Sequence, residues 1–187
     1  PNMWTETQIK QHEEAAKKLT KIIQLAFLYI QNNPKISEYQ VQQFILAKFK
    51  DLKLKTNHQA PIVAFGKSAA DPHYTPTIQS SQKLAKNNFI MLDIWASIRE
   101  KQAPMADITW MGYFGKISAE EQKIYNLVIK ARNNGIKFIQ KSLVQKIMPT
   151  GQAVDAAVRE IITKASFGEN FIHSTGHSIG KTSPHGI

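Results

Sequence analysis

The stretch Phe89-Ile90-Met91-Leu92-Asp93-Ile94-Trp95-Ala96 decides the fold of this chain, because it is apolar on both sides of a single carboxylate. Such a run is typical of a strand that is buried on both faces. An ionised aspartate inside a buried strand costs several kcal/mol unless a cation or a set of hydrogen-bond donors meets it. A second aspartate, Asp107, opens the next strand-like run, residues 108–114. Two neighbouring strands that each present a carboxylate suggest a metal site, whereas the plainer alternative is a satisfied core carboxylate followed by a turn residue.

The composition favours one globular domain in a reducing compartment. A chain of 187 residues can bury one substantial core, and its hydrophobic content of 42% and charged content of 20% are ordinary for a globular protein. Cysteine is absent, which excludes disulfides and thiolate metal ligands and predicts a cytoplasmic location. The most apolar helical stretch, residues 22–30, is too short to span a bilayer, so we expect no membrane partner.

The formal net charge of +10 suits an acidic partner. The lysines are spread along predicted helices and their ends, however, as on a solvated face. No arginine-rich arm and no basic stripe with interleaved aromatic residues is present. The sequence therefore does not favour nucleic acid as a partner.

Two helices and a short strand are predicted before the decisive stretch. Apolar residues recur with helical spacing over residues 5–31 and again after Ser37-Glu38-Tyr39-Gln40, which has the form of a capping box. Ile62-Val63-Ala64-Phe65 reads as a short strand that ends at Gly66. A polar loop, residues 67–76, then leads toward the two strands that carry the aspartates.

The same order of elements begins again after the second of these strands. Ser118-Ala119-Glu120-Glu121 is another capping box and opens a long helix, in which Gly135 is expected to weaken the helix somewhat. A fourth helix is predicted around residues 154–162, and a loop rich in histidine and glycine follows at residues 173–180. We interpret this order as an internal duplication whose second copy lacks its strands. The missing strands would carry acidic residues and would lie beyond Ile187.

Several short motifs carry a resemblance to a known family. In chain order they are Ala64-Phe65-Gly66, Pro72-His73-Tyr74, Leu92-Asp93, Asp107-Ile108-Thr109, His173-Ser174-Thr175-Gly176-His177-Ser178-Ile179-Gly180 and His185. Together they resemble the pita-bread metallopeptidases, which include Xaa-Pro aminopeptidase, prolidase, methionine aminopeptidase and creatinase. The chain is most similar to a divergent Xaa-Pro aminopeptidase-like branch. The resemblance implies an α+β fold with a pseudo-symmetric antiparallel sheet and paired outer helices, of which residues 1–187 would form a truncated catalytic domain.

The resemblance also implies a centre with two divalent metal ions. Asp93 would be a terminal ligand of one metal, Asp107 a carboxylate that bridges both, and His177 a ligand of the other metal. Two glutamate ligands are expected beyond Ile187. Hard oxygen ligands with one imidazole suit manganese, cobalt or zinc, and the sequence does not choose among them.

Three further histidines match family positions around that centre. His73 and His185 would flank the site as catalytic residues that hydrogen-bond the substrate or an intermediate, a role that suits imidazole near neutral pH. His173 would bind the substrate near its second residue. The plainer alternatives are a turn residue for His73 and a solvent-exposed residue near the chain end for His185. His12 matches no family position, as is also true of His58, and both are predicted to be surface residues.

The sequence departs from the family pattern at positions that bear on specificity rather than on the metals. Trp110 stands where many proline-cleaving relatives have arginine, and Gly186 follows His185 where many have an acidic residue. The interval between Asp93 and Asp107 is slightly long, which a longer hairpin turn would absorb. Trp110, together with Tyr74 and Trp95, is expected in the core or in a pocket wall.

The function that the resemblance implies is that of a dinuclear-metal-dependent aminopeptidase. It would hydrolyse the amino-terminal bond of a peptide substrate by a metal-bridging hydroxide, with proline favoured in second position because His173 is present. The alternative is a catalytically inactive relative that binds protein or nucleic acid. The retained Asp93, Asp107 and His177 argue against that alternative. A homodimer stays open, because dimerisation is common in that family.

Overall fold

The computed structural model describes residues 4–185 and divides them into two compact units. The first unit comprises the described residues up to Lys116 together with 178–185, and the second comprises 117–177. Gly186, a position where the sequence departs from the family pattern, lies outside the described residues. The proposal of one catalytic domain over residues 1–187 stays a prediction.

Two long helices form one layer of the first unit. Helix α1, Glu6–Asn32, begins after Thr5, and helix α2, Glu38–Asp51, begins after Ser37. Each of these cap residues accepts a backbone hydrogen bond and completes a capping box with a glutamine three residues later. Both predicted helices are therefore confirmed. The buried face of α1 consists of Ala15, Leu19, Ile22, Ile23, Ala26 and Ile30.

The second layer of this unit is an antiparallel sheet in which every strand pairs with the same long strand. The strands are β1 (Leu54–Lys55), β2 (Ile62–Phe65), β3 (Asn88–Ile98) and β4 (Ala106–Phe114). Strand β3 pairs with all three others. The predicted strand over residues 89–96 is thus confirmed, whereas the two-residue strand β1 was not predicted.

Strand β3 is not buried evenly on both of its faces. Ile90 and Leu92 are buried in the core with α1 and α2, but Met91 and Asp93 on the other face are only half-buried. Both faces become buried only from Ile94 onward. The prediction of a fully buried Asp93 is therefore wrong. The physical reason is that the helices cover one face of the sheet, whereas the other face has only a small apolar cluster.

The second unit is a helical pair. Helix α3, Ala119–Val144, begins at a capping box after Ser118, and helix α4, Gly151–Lys164, begins after Thr150. No strand is found in residues 117–177, all of which are described, as expected for a second copy without its strands. Val128 of α3 is 50% exposed, although it lies beside Leu127 and at three-residue spacing from the buried Ala131.

Gly135 of α3 lies against α4. It is buried, and a Cβ added to it would be 2.6 Å from Cγ2 of Val158 on α4. The sequence indicated only its cost to the helix. The structure adds a packing role, since no larger side chain fits beside Val158.

Among residues 4–185, no helix combines the length and apolar character that crossing a membrane would need.

We expect Gly135→Ala to lower the free energy of unfolding by about 1 kcal/mol, because crowding Val158 outweighs the gain in helix propensity. Urea unfolding of the chain followed by circular dichroism measures this change. Gly151→Ala is the matched control, since nothing lies within 4 Å of a Cβ at that position. In a Val158→Ala background the added methyl group should cost less. An equal cost in both backgrounds would contradict the packing role.

Candidate metal centre

The register between β3 and β4 places the two aspartates on one face of the sheet. Asp93 is paired with Thr109, and Trp95 is paired with Asp107. Side chains two residues apart on a strand point to the same face, so Asp93 and Asp107 are diagonal neighbours across the two strands. Such neighbours are about 7–8 Å apart, within reach of a shared cation for two carboxylates. The predicted meeting of these two carboxylates is thus supported by the strand pairing.

An apolar cluster adjoins the carboxylate pair on the same face. It consists of Ile62, Ala64, Trp95 and Met105, with Ile179 packed against it. The indole Nε1 of Trp95 donates a hydrogen bond to the side-chain oxygen of Asn57 at 2.6 Å. Trp95 is therefore a buried wall beside the carboxylates, as predicted. Apolar neighbours lower the local dielectric and so strengthen any interaction between these carboxylates and a cation.

Thr109 holds one oxygen of Asp93. Its hydroxyl Oγ1 donates to Oδ1 of Asp93 at 2.7 Å, which fixes the orientation of that carboxylate. This role of Thr109 was not predicted from the sequence. The signal was present in the spacing, because Thr109 is two residues after Asp107 and thus lies on the same face of β4.

Met105, the residue before β4, makes two backbone hydrogen bonds that hold the start of this strand. The backbone N–H of Met105 donates to the carbonyl of Gly180 at 2.9 Å. The carbonyl of Met105 accepts a hydrogen bond of 2.7 Å from Nδ1 of His12 on α1. The prediction of His12 as a plain surface residue is therefore wrong, because it is half-buried and bonded to the strand that carries Asp107. His58 is exposed, as predicted.

His185 belongs to the same unit as the carboxylate pair. Residues 179 and 185 form an isolated antiparallel bridge, and the N–H of Gly180 donates to the carbonyl of Pro184. This small hairpin is the segment that Met105 holds through Gly180. The side chain of His185 is exposed. Its catalytic role stays a prediction.

His73 is exposed on a loop, and the residue that follows it, Tyr74, is held by a hydrogen bond to Glu38. The backbone N–H of His73 donates to Oδ1 of Asp71 at 2.9 Å. The next residue, Tyr74, donates its hydroxyl to Oε2 of Glu38 at 2.6 Å. Burial raises the pKa of the Tyr74 phenol, and the Glu38 carboxylate raises it further. The polar loop predicted over residues 67–76 begins with a 3₁₀ helix, Gly66–Ala70.

Glu38 is a fully buried carboxylate at the first position of α2. Besides Tyr74, it accepts hydrogen bonds from the backbone N–H groups of Phe65 and Gln82, both at 2.7 Å. Three donors thus satisfy a charge that would otherwise be costly to bury. Glu38 ties the end of β2 and the far end of the loop to one helix. The sequence showed it only as part of a capping box, since its partners are 27 to 44 residues away.

His173 and His177 lie in the second unit, where both are exposed. Their predicted approach to the two aspartates stays a prediction. Within residues 4–185, no group of three or more histidine, aspartate or glutamate side chains is placed to hold a metal ion. What the structure brings together is the pair Asp93 and Asp107. Two carboxylates on one face fit a hard divalent cation as part of a larger ligand set.

Trp110 lies on the opposite face of the sheet from the carboxylates. It pairs with Leu92, whose side chain points to the helices, and it is 41% exposed. The expectation of a core or pocket-wall residue is therefore wrong for Trp110. The departure from the family pattern at this position does not alter the face that carries Asp93 and Asp107.

Comparisons with known proteins cover nearly the whole chain. The model of metallopeptidase family M24 matches residues 10–186. An uncharacterized peptidase of Staphylococcus haemolyticus is 30% identical over 179 residues, which are 96% of this chain and 47% of that protein. The solved Xaa-Pro dipeptidase from Bacillus anthracis is 29% identical with a TM-score of 0.80, over 98% of this chain and 47% of the other.

A further solved structure, the X-Pro aminopeptidase from Thermotoga maritima, has a TM-score of 0.81 at 22% identity, over 98% of this chain and 48% of its own. At that identity it shows the fold alone. The predicted α+β pita-bread fold is thereby confirmed. The chain spans about half the length of the relatives that it matches.

We expect Glu38→Gln to lower the free energy of unfolding by about 2–3 kcal/mol, because an amide cannot accept from all three donors. Urea unfolding of the chain measures the loss. The matched control is Glu14→Gln on α1, whose carboxylate is exposed and pairs only with Lys18. That control should change stability by less than about 0.5 kcal/mol. Equal effects of the two substitutions would contradict the anchoring role of Glu38.

Proposed function

Because this chain belongs to metallopeptidase family M24, we propose that the intact protein is a dinuclear-metal-dependent aminopeptidase that prefers peptides with proline in second position. The observation that carries the proposal is the placement of Asp93 and Asp107 as diagonal neighbours on one sheet face. The similarity to an Xaa-Pro dipeptidase supports the preference for proline. The substrate is a peptide. A homodimer and a cytoplasmic location are further predictions of the sequence.

The proposed ligand set combines residues of this chain with residues beyond it. Asp93 would be a ligand of one metal, Asp107 a carboxylate shared by both, and His177 a ligand of the other. Two glutamates expected beyond Ile187 would complete the set. Manganese, cobalt and zinc all suit these ligands. When bound, two such ions polarise the scissile carbonyl and lower the pKa of a water molecule near neutrality.

Other side chains of this chain orient the metal ligand Asp93 and bind the substrate. Thr109 holds Asp93 in one orientation, so that its second oxygen is directed for binding. His73 and His185 hydrogen-bond the substrate or an intermediate, the role that their match to family positions implies. His173 contacts the second residue of the substrate. The apolar cluster around Trp95 excludes water from one side of the carboxylate pair.

We expect Asp107→Asn in the intact protein to reduce peptidase activity at least about a thousandfold, because it removes the charged bridging ligand. The bound metal per chain, measured by atomic emission, should fall from two toward zero or one. Asp51→Asn is the control, since Asp51 is exposed at the end of α2 and pairs with Lys48. Unchanged metal content in Asp107→Asn would contradict the bridging role.

We expect the intact protein with Mn²⁺ to cleave Ala-Pro-Ala at least about tenfold faster than Ala-Ala-Ala, as kcat/KM, and to lose both activities with a chelator. His173→Ala should reduce this preference rather than abolish cleavage. Release of alanine, followed by chromatography, measures each rate. Absence of hydrolysis with Mn²⁺, Co²⁺ or Zn²⁺ would contradict the peptidase proposal and favour a binding module.

A further inference from the structure

The loop 171–177, which carries His173 and His177, is held to helix α4 by two side chains. Arg159 donates from Nη1 to the carbonyl of Phe171 at 2.7 Å and from Nη2 to the carbonyl of His173 at 2.9 Å. Asp155 accepts at Oδ1 from both the backbone N–H and the hydroxyl of Thr175, each at 2.8 Å. Alternate residues of the loop are thus bonded to one turn of the helix.

Asp155 and Arg159 are also bonded to each other by two hydrogen bonds. Nε of Arg159 lies 2.9 Å from Oδ2 of Asp155, and Nη2 lies 3.3 Å from Oδ1. The guanidinium also lies over the ring of Phe171, 4.3 Å from its centroid. Hydrogen bonds from Arg159 and then from Thr175 lower the pKa of the Asp155 carboxyl well below its usual range. Only a planar guanidinium can make all of these contacts at once.

An ordinary ion pair five residues further along the same helix shows the difference. Glu160 and Lys164 have the same four-residue spacing as Asp155 and Arg159, but both side chains are more than half exposed. Pairs of that kind contribute little to stability. Asp155 and Arg159 are only 27% and 35% exposed, and their hydrogen bonds reach the backbone of a different segment.

Packing alone does not hold this loop. Phe171 is half-buried, but residues 172–177 are all exposed, and Gly176 has no atom within 4 Å of a Cβ position. An exposed segment of this kind samples many backbone conformations unless hydrogen bonds restrict it. If a loop that carries a metal ligand becomes ordered only when the metal binds, the entropy cost of ordering lowers the affinity for the metal.

We propose that Asp155 and Arg159 are positioning residues that fix the backbone of residues 171–177, so that His173 and His177 are presented in one conformation. The part played by the two histidines rests on the proposed function. The restraint on the loop does not, since every contact that carries it lies within the second unit.

Backbone amide exchange of the 187-residue chain, followed by NMR, tests the restraint directly. Thr175→Val removes one hydroxyl contact to Asp155, and Arg159→Lys removes the contacts to the two carbonyls while keeping the charge. We expect exchange of the Thr175 amide to become about tenfold faster in Arg159→Lys. The amides of α4 should keep their protection, which shows that the helix remains folded.

Glu160→Gln is the matched control on the same helix and should leave exchange of the Thr175 amide unchanged. If Arg159→Lys unfolds α4, the milder Thr175→Val variant still tests the restraint. Amide exchange of the neighbouring loop residues should then become faster in Thr175→Val. Protection of residues 173–175 at the wild-type level in both variants would overturn the proposal.

A second readout separates this proposal from the proposed function. Mn²⁺ broadens the ring signals of a histidine that it binds, so titration of the intact protein reports on His177, with His58 as the exposed reference. We expect Arg159→Lys to need about tenfold more Mn²⁺ than the wild type for the same broadening. Equal Mn²⁺ demand despite fast Thr175 exchange would overturn the positioning role. Absence of broadening in the wild type would contradict the proposed function and leave the measured loop restraint standing.

Discussion

The pairing register of β3 with β4 is the constraint on which the rest of the site depends. With Trp95 opposite Asp107, both aspartates point to one face, and a slip of one residue would send Asp107 to the helix side of the sheet. The register is fixed because the other face is buried under α1. Gly112 of β4 approaches the ring of Phe27 so closely that a Cβ there would lie 2.5 Å from it. Helix packing on one face therefore determines which side chains meet on the other.

Each of the two units uses a carboxylate near the start of a helix to hold a loop that carries histidine. In the first unit, Glu38 of α2 binds the backbone of Phe65 and Gln82 and the hydroxyl of Tyr74. In the second unit, Asp155 of α4 binds Thr175. In both cases hydrogen bonds to a helix restrain a loop whose histidine is exposed. This parallel agrees with the duplication inferred from the order of elements.

The two anchors differ in how they satisfy their charge. Glu38 is fully buried and is met by neutral donors, whereas Asp155 is partly exposed and is met by Arg159. Removing one donor from a buried carboxylate leaves an uncompensated charge. Solvent can replace a lost partner of Asp155. We therefore attribute a larger share of the stability of its unit to Glu38, and a more local effect on loop order to Asp155.

The helices and main strands were predictable because their signals are local. Capping boxes marked where α2 and α3 begin, and continuous apolar runs marked the strands. The burial of Asp93 was mispredicted because a continuous apolar run does not show which face of a sheet a helix covers. The environment of Trp110 was mispredicted for a related reason, because the register of β4 determines the face of the sheet on which Trp110 lies. The roles of Glu38, Arg159 and Thr109 were not predicted, because their hydrogen-bond partners lie on other elements that only the tertiary structure brings close.

The proposed metal centre requires Asp93 and Asp107 to bind the same divalent cation. Anomalous X-ray diffraction from crystals of the intact protein soaked in Mn²⁺ tests it most directly. Our account predicts an anomalous peak within about 2.0–2.3 Å of a carboxylate oxygen of both residues. A peak beside only one of them, or no peak near either at saturating Mn²⁺, would contradict it.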